Sequence, residues 1–310
     1  MNEPNVPLEP ISARYRETIK RMLGLSVGSP EIDKGHVYLE ANLSIRALID
    51  PILQENLAEG SGLRHADRLF ALHRLAGEGK SVLILSEHYS NADLPALIYF
   101  LSRLGGEGRA AAADIVAMAG IKLHEENLLI RVLTEAYTRI LIYPRHSLEI
   151  IRSRIKEPHD LVQEVLKSSS VNRAAMKALA AVKSKGKMVL VYPAGTRFRP
   201  WDSGSKRGVR EIDSYIKTFD FMVLISINGN VLRVNPAGEM SGDLIARDTL
   251  VMTVSPVIDC REFRAAIKDE AGFREDKKQR VVDEVMRRLE EMHQIAEKGR
   301  EDAPPGGSRG

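Results

Sequence analysis

His88 and Asp93, five positions apart, are of the right types to act as a two-part base. A carboxylate that accepts one ring N–H fixes the imidazole tautomer and stabilises the imidazolium, while the other ring nitrogen takes a proton from a hydroxyl. Taken alone the pair has a second reading, with Asp93 capping a helix and His88 a solvated loop residue. A basic group collects further along, where Pro193, Ala194, Gly195, Thr196, Arg197, Phe198, Arg199 and Pro200 follow one another. Gly195 lets backbone approach a ligand closely, Thr196 offers a hydroxyl, and two guanidinium groups two residues apart can flank one anion. The competing reading pairs Arg197 and Arg199 with nearby acids such as Asp202. Arg145 and His146 add a further basic pair, and Lys122 a single, less specific cation.

These residues need elements to hold them. Residues 82–85 are a short apolar run preceded by Gly79 and Lys80, which reads as a buried strand with His88 just beyond its carboxyl end. Pro95 suits the first turn of a helix running to Leu104, with Ser90, Asn91 or Asp93 as its cap. Runs at 114–119, 139–143, 188–192, 221–227 and 250–254 read as further strands alternating with helical stretches. That alternation predicts an α/β fold with a mainly parallel central sheet flanked by helices. Several basic residues follow strand ends, so the site is expected along one sheet edge, where open α/β sheets bind ligands. A helix starting at Asn172 feeds the strand at 188–192. Helical spacing at 11–24, at 32–57 with Pro51 as a break or kink, and at 64–76 predicts a small helical amino-terminal domain over residues 1–78, ahead of an α/β domain over 79–298. Val281, Val282, Val285, Leu289 and Met292 form the apolar stripe of a last helix, and the Pro- and Gly-rich residues 299–310 read as a disordered tail.

Composition narrows the classes. The chain has 310 residues, 44% of them apolar, and 45 Lys and Arg against 42 Asp and Glu, a formal charge of +3. That excess is too small to suggest nucleic acid as a partner, so basic function must be local. The single cysteine, Cys260, excludes an internal disulfide and a cysteine-based zinc site, and fits a reducing cytoplasm. His65 and His73 lie two helical turns apart without a partner ligand, so no metal is expected. No signal peptide and no run of about 18 apolar residues is present, which predicts a soluble protein and leaves room for peripheral membrane contact.

Taken together, His88-Tyr-Ser-Asn-Ala-Asp93 and Tyr192-Pro-Ala-Gly-Thr-Arg197 resemble the first and third motifs of the glycerolipid acyltransferases. The nearer resemblance is to the soluble, plastid-type glycerol-3-phosphate acyltransferases. Arg145 with His146, the Arg197-Phe198-Arg199-Pro200 ending, Asn172 with Arg173, and Thr253-Val254-Ser255-Pro256 are similar to features of that branch, over about residues 80–263. Two departures stand out. Ala194 replaces the glutamate of membrane-bound relatives, which argues against the lysophosphatidate branch, and no proline motif occurs in residues 221–228.

The resemblance implies transfer of a fatty acyl group from an acyl carrier protein or coenzyme A thioester to the 1-hydroxyl of glycerol 3-phosphate, with no cofactor. It implies His88 as general base held by Asp93, with Arg145, His146, Arg197 and Arg199 on the acceptor phosphate and Gly195, Thr196 and Lys122 in support. Backbone N–H groups near Ser90 or Gly195 are candidates for the oxyanion. Lys206, Arg207 and Arg210 are candidates for guiding an acidic carrier. A cytoplasmic enzyme of phospholipid biosynthesis is the expectation, or a stromal one if the source is a plant. The alternatives are the same chemistry on lysophosphatidate or another lyso-lipid, and a non-catalytic anion- or lipid-binding protein.

Overall fold

Residues 8–27, 35–121, 128–144, 157–236, 242–270 and 276–301 are described by a computed structural model. The strands in chain order are β1 (Glu9–Pro10), β2 (Tyr38–Leu39), β3 (Gly62–Arg64), β4 (Val82–Ser86), β5 (Ile115–Gly120), β6 (Arg139–Ile142), β7 (Met188–Val191), β8 (Phe221–Asn228), β9 (Leu232–Arg233), β10 (Leu244–Ile245), β11 (Val251–Val254) and β12 (Ile258–Asp259). The central sheet runs β2-β6-β5-β7-β4-β8-β11-β3, with β12 also on β8. Its middle, β6-β5-β7-β4-β8, is parallel throughout, and both faces of these strands are buried. Near-continuous Val, Ile and Leu are what such strands require, and β4, β7 and β8 supply them. β2 pairs antiparallel to β6, β11 and β12 pair antiparallel to β8, β3 pairs parallel to β11, and β1, β10 and β9 form a separate small sheet.

The helices are α1 (Ile11–Arg14), α2 (Arg16–Leu25), α3 (Leu43–Asn56), α4 (Ala66–Gly77), α5 (Asp93–Ser102), α6 (Gly105–Ala113), α7 (Leu128–Glu135), α8 (Pro158–Ser184), α9 (Ile212–Thr218), α10 (Cys260–Glu270) and α11 (Lys277–Glu301). Because side chains alternate along a strand, each strand feeds two cores. Val82 and Ile84 face a core filled by α1 to α7, whereas Leu83 and Leu85 face one filled by α8 to α11. The molecule is therefore a mixed α/β fold with a large, mostly parallel sheet between two helical layers.

Several expectations need correction. A separate helical amino-terminal domain is not clearly shown, because β2 and β3 join the sheet and α1 to α4 share one apolar core with it. The helix expected over 32–57 begins at Leu43, where Asn42 Oδ1 accepts the Ile45 N–H at 3.2 Å, and residues 28–34 lie outside the described residues. Pro51 sits inside α3 without ending it. Its ring is exposed, and buried Ile49, Ile52 and Leu53 hold both sides of it to the core. Asn172 is interior to α8 rather than its cap. Its amide accepts the Tyr143 N–H at 2.8 Å and donates to the Tyr143 carbonyl at 3.1 Å, fixing the chain as it leaves β6. Of the expected tail, 299–301 belong to α11 and 302–310 lie outside the described residues. Cys260 is buried, and loss of solvation pushes its thiol up to about 12, so no thiolate nucleophile is present there. None of the described helices is long and apolar enough to cross a membrane.

Candidate active site

β4 and β7 are hydrogen-bonded parallel neighbours, with Leu85 opposite Val191. The segments that follow them therefore leave the sheet side by side. His88 stacks on Tyr192, their ring centroids 3.8 Å apart and their planes at 11°. The Phe198 N–H donates to the His88 carbonyl at 2.7 Å, so the two motifs, a hundred residues apart in sequence, are tied by backbone as well as by rings. Between them the chain turns back at Gly195, whose N–H donates to the Tyr192 carbonyl at 2.9 Å and whose φ of 65° is one that glycine adopts without strain.

Asp93 opens α5, and its carboxylate is surrounded by donors. His88 Nδ1 lies 2.9 Å from Oδ2, the Tyr89 and Ser90 N–H groups donate to the same oxygen at 2.7 and 2.9 Å, and the Ser90 hydroxyl donates to Oδ1 at 2.9 Å. A carboxylate held this way accepts from Nδ1, which leaves Nε2 as the ring nitrogen able to take a proton. Burial, with a smaller push from the Asp93 charge, raises the Tyr192 hydroxyl well above its ordinary range, so the ring under His88 stays neutral. The Ser90 and Gly195 N–H groups considered for an oxyanion are already engaged, the first with Asp93 and the second with Tyr192.

His88 lines a cavity of about 220 Å³ together with Tyr89, Ala194, Phe198, Lys206 and Met286. Most of its exposed wall is apolar, and the Lys206 Nζ to Glu290 Oε2 ion pair crosses it at 2.7 Å. That hydrogen bond holds the Glu290 carboxyl below its usual range.

The basic residues are placed less uniformly. Arg197 is 7% exposed and bonded through Nη1 to Asp243, which is 1% exposed; neither Arg197 nor Arg199 lines the cavity. Burial raises the Asp243 carboxyl, and Arg197 works against that rise. Asn91, inside the first motif, approaches the same carboxylate at 3.4 Å, so Asp243 links the two motifs. Arg199 has a side chain 40% exposed and 4.0 Å from Asp202. Thr196 is half-buried. Lys122, Arg145 and His146 lie outside the described residues. Arg210 pairs with Asp276 at 2.6 Å, and Arg207 is exposed.

Three further residues belong to this neighbourhood. Asp243 and His293 come into contact with the two motifs only through tertiary folding, no spacing or motif marks them, and the third residue is Glu87. Glu87 had one signal, as an acid directly beside His88. No protein-family model matches this chain, and no curated protein matches it either.

Proposed function

We propose that this chain is an acyltransferase that moves a fatty acyl group from a thioester carrier to the sn-1 hydroxyl of glycerol 3-phosphate. The observation that carries the reading is the His88 to Asp93 contact of 2.9 Å at the carboxyl end of β4, beside a cavity whose exposed wall is mostly apolar. His88 Nε2 removes the hydroxyl proton as the oxygen attacks the thioester carbonyl, and Asp93 stabilises the imidazolium that forms. The tetrahedral intermediate then collapses, expelling the thiolate, which takes the proton back from His88. No covalent acyl-enzyme is needed, because the acceptor itself is the nucleophile. Donor and acceptor held together in one crevice gain the advantage of an intramolecular reaction.

The acceptor phosphate is assigned to Arg145, His146, Arg197 and Arg199, with Gly195, Thr196 and Lys122 in support. In this reading residues 1–78 form a helical unit that covers one sheet face, and the enzyme works in the cytoplasm on acyl carrier protein or acyl coenzyme A.

The test is a two-by-two assay, pairing acyl carrier protein or coenzyme A thioesters with glycerol 3-phosphate or lysophosphatidate, run on the wild type and on His88→Ala. Turnover with glycerol 3-phosphate, lowered by about 10²- to 10⁴-fold in the variant, is the expected result. Turnover only with lysophosphatidate would move the acceptor assignment. Ligand binding without turnover in any arm would make this a binding protein.

A further inference from the structure

A second acid and histidine pair stands behind the first. The Glu87 carboxylate is 7% exposed, and it accepts the Ile227 N–H at 2.7 Å through Oε2 and the Tyr89 hydroxyl at 3.1 Å through Oε1. His293 Nδ1, from α11, lies 3.0 Å from the same Oε2. The Tyr89 ring is held between Phe198, edge-on at 5.6 Å, and His293, tilted at 5.6 Å. Residues 87 and 89 both turn toward α11, where His293 meets them, while His88 turns toward Tyr192 and Asp93. Both neighbours of the proposed base are thus gripped by one residue of the last helix.

We infer that Glu87 and His293 are positioning residues for His88, and that α11 completes the site by clamping the backbone on either side of the imidazole. This rests on the reading of His88 and Asp93 given above and adds a requirement to it. The Glu87 carboxylate would be costly to bury alone, and three donors surround it. The hydrogen bond to Glu87 raises the His293 imidazole above its ordinary value against the effect of burial, with Lys206 and Glu290 as the other charges facing it. The clamp also keeps Tyr89 upright as the wall between the His88 cavity and a second, larger depression of about 340 Å³ lined by His293 and Arg300.

The experiment follows the His88 Nδ1–H proton by NMR in the full chain with labelled histidine, and so needs no turnover. Its low-field signal is identified by its loss in Asp93→Asn. In Glu87→Gln and in His293→Gln, exchange of that proton with water should quicken by about ten-fold or more, because the ring is less firmly held against Asp93. His73→Gln is the control. It breaks another histidine to aspartate contact, 2.8 Å between His73 and Asp114, at the far edge of the sheet, and should leave the His88 signal as it is. Should Glu87→Gln fail to fold, His293→Gln alone decides, since residue 293 lies on a half-exposed helix surface. An unchanged His88 signal in the folded variants, or an equal change in His73→Gln, overturns the inference. Where turnover is present, kcat should drop on the order of ten- to a hundred-fold with acceptor KM held, as expected of a misplaced base. A protein with no turnover but with the predicted proton behaviour would sink the acyl-transfer reading and leave the clamp standing.

Discussion

Arg197 and Arg199, two residues apart and assigned to one phosphate, stand in different physical situations. Removing the Arg197 guanidinium leaves the buried Asp243 carboxylate without its cationic partner. Arg197→Ala should therefore cost about 3–5 kcal/mol of stability, read from the urea midpoint, and Asp243→Asn in the same chain should restore part of it. An unchanged midpoint would show that the pair contributes nothing. Arg199 is far more accessible, so Arg199→Ala should leave stability within about 0.5 kcal/mol. If it holds the acceptor, affinity for glycerol 3-phosphate by calorimetry should weaken by about 1.5–3 kcal/mol. Equal affinity in wild type and variant removes Arg199 from the site.

At the scale of elements, the loop after β7 is fitted closely to α11. A Cβ added at Gly208 would stand 2.4 Å from Val282 Cγ1 and 2.9 Å from Met286 Cγ, and the branched Val282 has little room to give. Gly208→Ala should cost about 1–3 kcal/mol by denaturant titration and shift the cavity wall that Met286 supplies. A variant as stable as the wild type would mean that the loop can slide. What the sequence makes legible follows from range. β4, β7 and β8 are readable because burial on both faces demands an unbroken apolar run, and that demand is local. The two motifs meet because β4 and β7 are neighbours, which no spacing announces but an α/β sheet allows. β2 and β3, two and three residues long, are too short to carry a period. Pro51 ends a helix by local rules and fails to here because core contacts outweigh one lost hydrogen bond. Asn172 looks like a cap by type, yet its bonds run to Tyr143 in another element. The Glu87 to His293 and Arg197 to Asp243 contacts are made by single residues with no periodic signal.

Across the whole molecule carboxylates tie both ends of the sheet, with Asp93, Glu87 and Asp243 serving the end near His88. At the edge away from His88, Asp220 accepts the Ser81 N–H and hydroxyl, each at 2.7 Å, and Asp114 meets His73 and Lys187. The Ser81 N–H and hydroxyl lower the Asp220 carboxyl despite its partial burial, and Lys187 and His73 lower Asp114 against the opposing effect of burial. A lowered folded value means stability that is present above the ordinary carboxylate range and lost as pH falls through the folded one. Acid should therefore loosen this edge below about pH 4. Asp220→Asn should be less stable at neutral pH and lose less on acidification, measured as urea midpoint against pH; parallel curves for both proteins would refute this. The arrangement of partners around His88 also bears on how the protein is made. Asp93 leaves the ribosome almost together with it, but the stacking ring, the Phe198 amide and the helix that grips Glu87 arrive a hundred to two hundred residues later. A nascent chain can build much of one helical layer and still hold an unset base, so competence waits until α11 has been made.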